Sequence, residues 1–104
     1  MRAFDEKQVS ALAPNAAAAA NGKKISAGGG FVSRFRSADD SFYMGECKGS
    51  GKSNYKVSAD FIEGDIPTFR CSCPSRQFPC KHGLALLYEI TAGKEFEIFD
   101  IPED

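Results

Sequence analysis

Cys71-Ser-Cys-Pro-Ser-Arg-Gln-Phe-Pro-Cys-Lys-His82 holds three of the four cysteines and the only histidine of this 104-residue chain. Three thiolates and one imidazole make a complete tetrahedral set for a single Zn²⁺, which expects Cys71, Cys73, Cys80 and His82 as ligands. Residues two apart on a strand share a side, so Cys71 and Cys73 can reach one ion together. A regular helix would send Cys80 and His82 to nearly opposite sides. Cys80 is therefore expected in the turn before a helix and His82 in its first turn, a boundary that Pro79 marks. Pro74 and Pro79 stiffen the intervening loop. A full ligand set leaves no open coordination position, which argues against a catalytic metal and, without a second histidine, against an enzyme. Cys71 and Cys73 lack the two-residue gap of a redox pair. Cys47 stands apart and reads as a buried small hydrophobe, with an additional ligand as the other reading.

Upstream of the cysteines the pattern is that of strands. Tyr55, Val57, Ala59 and Phe61 alternate with Lys56, Ser58 and Asp60, and Ser41 to Cys47 can pair with them across the loop Lys48-Gly-Ser-Gly-Lys-Ser-Asn54. Phe69, Cys71 and Cys73 continue the alternation as a third short strand. Gly51-Lys52-Ser53 matches the end of a P-loop, but Glu46 stands where the first glycine is required, and a strand rather than a helix follows. These departures argue against nucleotide hydrolysis, and the loop reads as a hairpin turn.

The N-terminal stretch reads as helix, helix, loop. Asp5 is the expected N-cap of a first helix carrying Val9, Leu12 and Ala13. Pro14 should end that helix or begin a second one, which Ala16 to Ala20 continue. Asn21-Gly22 reads as its stop and Gly28-Gly29-Gly30 as a flexible break. The expected organisation is a helical segment over residues 1–30, then strands and a zinc finger over 31–92 that form one domain with it. An acidic tail occupies 93–104. The fold class is α+β: a small zinc-stabilised domain with N-terminal helices, a short antiparallel sheet and a strand–loop–helix finger.

Composition sets further limits. Hydrophobic residues make up 42% and charged residues 26%, ordinary for a globular chain. No apolar run approaches the roughly 20 residues needed to span a bilayer, and the start lacks signal-peptide order. The expected setting is cytoplasmic and reducing, where close-set Cys and His read as metal ligands rather than disulfides. A formal net charge of −1 speaks against a surface built wholly for nucleic acid. The basic residues are concentrated around the cysteines. Lys48, Lys52, Arg70, Arg76, Phe78 and Lys81 are the candidate partner-binding residues, with Tyr55 or Phe78 available to stack on a base.

The Cys-x-Cys, short loop, Cys-x-His pattern resembles the SWIM-type zinc finger. Gly45-Glu-Cys-Lys-Gly-Ser-Gly-Lys52, Tyr55-Lys-Val57 and the run from Cys71 to Leu87 are similar to the bacterial branch of that family. Met44, and Phe31 near the start of the strands, stand where such relatives often carry tryptophan. The resemblance implies that Cys71, Cys73, Cys80 and His82 bind zinc in a module for protein or nucleic-acid binding. A protein-binding adaptor is the first expectation, because the net charge is nearly neutral. The helix Leu84 to Ile90 is apolar on more sides than a small domain usually buries, which would offer such an adaptor a surface. The Phe96 to Ile101 segment offers a strand for a partner's edge, or else both elements close the local core. Nucleic-acid binding through the basic loop and finger is the alternative.

Overall fold

The computed structural model describes residues 5–48, 54–61, 67–72 and 80–99. Asp5 caps α1 (Glu6–Leu12): its carboxylate accepts the Gln8 N–H at 2.9 Å, and the Gln8 side chain accepts the Asp5 N–H at 2.8 Å. Pro14 ends this helix but does not open the next. The cap of α2 (Ala16–Ala27) is Asn15, whose side chain accepts the Ala18 N–H at 2.8 Å.

The second helix does not stop at Asn21-Gly22, contrary to the sequence expectation; it continues to Ala27. The reason is a tertiary contact with α3 (Lys81–Thr91). A Cβ on Gly22 would lie 2.9 Å from Leu84 Cβ and 3.0 Å from the Lys81 carbonyl oxygen. Glycine thus lets two helix backbones approach closely, and packing offsets its helix-propensity penalty of about 1 kcal/mol. The chain turns out of α2 through Gly28–Gly30, with Gly29 at φ 71°.

Five strands follow: β1 (Phe31–Ser37), β2 (Phe42–Cys47), β3 (Tyr55–Asp60), β4 (Thr68–Cys71) and, after α3, β5 (Glu97–Phe99). Their spatial order is β4-β3-β2-β1-β5. The β2–β3 and β3–β4 pairs are antiparallel as the alternation predicts, and β1 joins β2 antiparallel. β5 adds a parallel strand to this antiparallel sheet. Residues 97–99 pair parallel to Phe35–Ser37 and form one edge of the sheet.

All three helices lie on one face. α3 packs on β2, β3 and β4, and α1 and α2 pack on α3. Leu84, Ala85, Leu86 and Leu87 are consequently buried on every side, between the sheet and the two N-terminal helices. The apolar surplus of this helix is thus absorbed by the chain's own core and offers no surface to a partner. Phe96 is buried too, its ring edge-on to Tyr43 at 5.6 Å, while Phe61 meets the same tyrosine at 5.7 Å. Cys47 sits in this core, as a small hydrophobe would.

A polar cluster crosses the layers. Glu89, fully buried on α3, accepts from Ser26 Oγ on α2 at 2.5 Å and from Arg34 Nη1 on β1 at 3.3 Å. Arg34 Nε also donates to the Glu95 carbonyl at 3.0 Å, which ties down the segment leading to β5.

The opposite face of the sheet carries a different population. In β2, Tyr43, Gly45 and Cys47 point into the core and Phe42, Met44 and Glu46 point away. Register places Glu97, Phe35, Met44, Ser58 and Arg70 in one row across all five strands. A neighbouring row holds Ser33, Glu46 and Lys56, extended by Ser72, which exchanges hydrogen bonds with the Lys56 backbone. No helix of the described residues covers these rows.

Candidate metal centre

The site forms where β4 ends and α3 begins. Cys71 is the last residue of β4, and Cys80 is the N-cap of α3 with extended backbone, φ −76° and ψ 169°. His82 lies in the first turn, as expected from the two-residue spacing. The Leu84 N–H donates to the Cys80 carbonyl at 3.1 Å, so the helix starts immediately at the ligand pair.

One ligand atom from each of Cys71, Cys80 and His82 lies within 4.8 Å of the other two. Cys71 Sγ and His82 Nδ1 are 3.8 Å apart. Bond lengths of about 2.3 Å to sulfur and 2.0–2.1 Å to nitrogen put the ligand atoms of a tetrahedral zinc about 3.5–3.8 Å apart. The described group therefore fits one zinc ion, with a contraction of about an ångström at most. Cys80 and His82 are nearly inaccessible to solvent, at 1% and 5% exposure, and Cys71 is half-buried.

The surroundings fix the imidazole. The ring of Tyr55 lies 4.9 Å from that of His82, centroid to centroid, tilted by 50°. Tyr55 thus flanks the ligand histidine. Behind the histidine, a Cβ on Gly83 would meet Phe69 at 2.8 Å, so the helix N-terminus seats directly on a β4 side chain. Val57 is the register partner of Cys71, which sets the strand end over the core.

Cys73, expected as the fourth ligand, lies outside the described residues, as do Lys52, Arg76 and Phe78. Among the described residues Cys47 is not part of the metal-holding group. Lys48, Arg70 and Lys81 are exposed, but Arg70 belongs to the open face of the sheet and Lys81 to the helix layer on the other side. Lys56, one of the basic residues of the central region, is the cation that accompanies Arg70 on that face. These two line a shallow depression of about 270 Å³ with Phe42, Met44, Ser58 and Ser72. The signal was present in the strand alternation, which assigns Lys56, Ser58, Met44 and Arg70 to the face away from the core.

A small α+β domain in which a strand end and a helix start bring two thiols and an imidazole together is a zinc-finger architecture. Residues 55–90, which run from β3 through α3, match the family model of the SWIM zinc finger. The SWIM zinc finger binds zinc, and the Cys71, Cys80 and His82 group is positioned to hold that ion. It is a binding module, not typically a catalytic one. Helices α1 and α2 and strands β1, β2 and β5 lie outside the match. Comparison with curated proteins and with solved structures found no match. No helix of the described residues is long and apolar enough to cross a membrane.

Proposed function

We propose that this chain is a non-catalytic adaptor, folded around one structural zinc held by Cys71, Cys73, Cys80 and His82, that binds protein through the open face of its sheet. Cys73 supplies the donor that a tetrahedral ion requires beyond the described three, from a position two residues past Cys71. The thiolate set suits a reducing, cytoplasmic setting.

The observation that carries the protein reading is the composition of that open face. Phe35, Phe42 and Met44 are half-buried at its centre, and Glu46, Asp60, Glu97, Lys56 and Arg70 surround them. An apolar centre with a mixed-charge rim is the anatomy of a protein interface. A phosphate-binding surface needs an excess of cations, and here acids balance bases. The apolar surface of α3 is internal, so the sheet face is the one that offers an apolar centre to a partner.

A photo-crosslinker at Met44 in the zinc-loaded chain should capture protein, and Phe35→Asp should abolish the capture. Single- and double-stranded oligonucleotides should not be retained at about 50 mM salt with micromolar protein. Salt-sensitive retention that Lys56→Ala and Arg70→Ala weaken would move the function to nucleic-acid binding.

A further inference from the structure

We infer that the open sheet face is self-complementary and that its partner is a second copy of this chain. This rests on the protein-binding reading above and names the occupant of that face. The helix layer closes one side of the sheet, whereas Phe35 and Met44 lie side by side in register on the other and are absent from the packed core. Around them Glu46, Lys56 and Arg70 form no ion pair with described residues, although Glu46 and Lys56 are register partners on adjacent strands. Among the described residues these charges are open to a docked surface.

The strand order decides which docked surface fits. Two sheets packed face to face with a two-fold axis in the interface, parallel to the strands, present the same rows to each other in reversed strand order. An axis through β2 would set Glu46 against Glu46 of the second copy, a like-charge contact. An axis between β2 and β3 removes that clash. It lays β2 over β3 of the second copy and β1 over β4 of the second copy.

In that arrangement Glu46 faces Lys56 of the second copy, and the symmetry repeats the pair. Phe35 faces Arg70 of the second copy, a cation–π contact that also occurs twice. Met44 packs over the short Ser58 of the second copy. Glu46, Phe35 and Met44 on the β2 and β1 side thus meet Lys56, Arg70 and Ser58 on the β3 and β4 side.

The four overlapping strands β1 to β4, about 4.8 Å apart and four to seven residues long, give a face of roughly 15 by 20 Å. That lies at the small end of specific interfaces, so the dimer is weak and reversible, with a dissociation constant on the order of tens of micromolar.

Sedimentation equilibrium of the zinc-loaded chain, from about 5 μM to 1 mM, tests the inference. A monomer–dimer equilibrium is expected. Glu46→Lys and Lys56→Glu should each weaken it by roughly tenfold or more, because each reversal acts twice. Mixed together, these two variants should form a heterodimer, since opposite charges then face each other at both pairs. That gain of association cannot arise from a folding defect. Zinc content and melting of each variant complete the comparison.

A chain that stays monomeric to 1 mM overturns self-pairing, as does a dimer indifferent to both reversals or the absence of heterodimer in the mixture. If the Met44 crosslinker then still captures another protein in a Phe35-dependent way, the protein-binding reading stands while self-pairing falls. If oligonucleotides bind at the same face instead, the protein-binding reading falls with it.

Discussion

Cys71 Sγ and His82 Nδ1 are 3.8 Å apart across the junction between the last strand of the hairpin series and the helix that fills the core. The contact joins two elements that belong to different layers, and Cys80 at the helix cap completes the group. Metal-binding energy at such a junction is folding energy. β4 has only four residues and a single strand neighbour, β3, so its position depends on that junction.

The cysteines should therefore divide into two kinds. Cys80→Ser and His82→Ala should lose zinc and unfold the β4–α3 junction, seen as lost metal by elemental analysis and a broadened, lowered melting transition. Cys47→Ala should keep its zinc and cost only about 1 kcal/mol, the price of a small cavity in a packed core. Zinc loss on Cys47→Ala would place that residue among the ligands.

Gly22→Ala tests the close approach of α2 and α3. On propensity alone alanine would stabilise a helix by up to about 1 kcal/mol. The added Cβ would meet Leu84 Cβ at 2.9 Å and backbone at 3.0 Å, neither of which can swing away. Net destabilisation of about 1–3 kcal/mol is expected in urea denaturation. A stabilised variant would show that the helices separate at no cost.

The buried carboxylate of Glu89 depends on Arg34. Arg34→Met leaves that charge with Ser26 as its remaining described partner and should cost about 3 kcal/mol. Glu89→Gln retains an acceptor for Ser26 and removes the charge, so it should cost less, about 1–2 kcal/mol. Chemical denaturation of both variants checks the order, and equal costs would mean that the ion pair contributes nothing.

The β1–β2 turn should be acid-sensitive. Asp39 Oδ1 accepts from the Ser37 hydroxyl at 2.7 Å, the Ser41 hydroxyl at 2.7 Å and the Ser41 N–H at 3.1 Å. The Ser37 hydroxyl foremost, then those from Ser41, lower its pKa from 3.8 to about 2. A depressed carboxyl pKa contributes stability above the unfolded value, and that contribution is lost as pH falls from about 4 through about 2. Asp39→Asn should flatten the pH dependence of unfolding in that window, and an unchanged acid limb would contradict the role of these hydrogen bonds.

Much of the finger was legible because its cues are local. Alternation in Tyr55 to Phe61 fixes which side of β3 is buried, and two-residue spacing with Pro79 places Cys80 and His82 at a helix start. The features that escaped depend on contacts between distant elements. Gly22 reads as a helix stop until Leu84 is seen opposite it. Residues 97–99 read as a strand for a partner's edge until the edge of β1 is seen to pair with them. The apolar surplus of α3 reads as a docking surface until α1 and α2 are folded over it. Lys56 was assigned to the outward side by alternation, but its place beside Arg70 required the register of β3 against β4.

Native mass spectrometry of the purified chain, with and without a chelator, bears most directly on the zinc assignment. One zinc per chain is expected, released by the chelator together with the loss of cooperative melting, and absent from Cys73→Ser and Cys80→Ser alike. A chain that carries no metal yet melts cooperatively, or a Cys73→Ser variant that keeps its full zinc content, would contradict the four-ligand site.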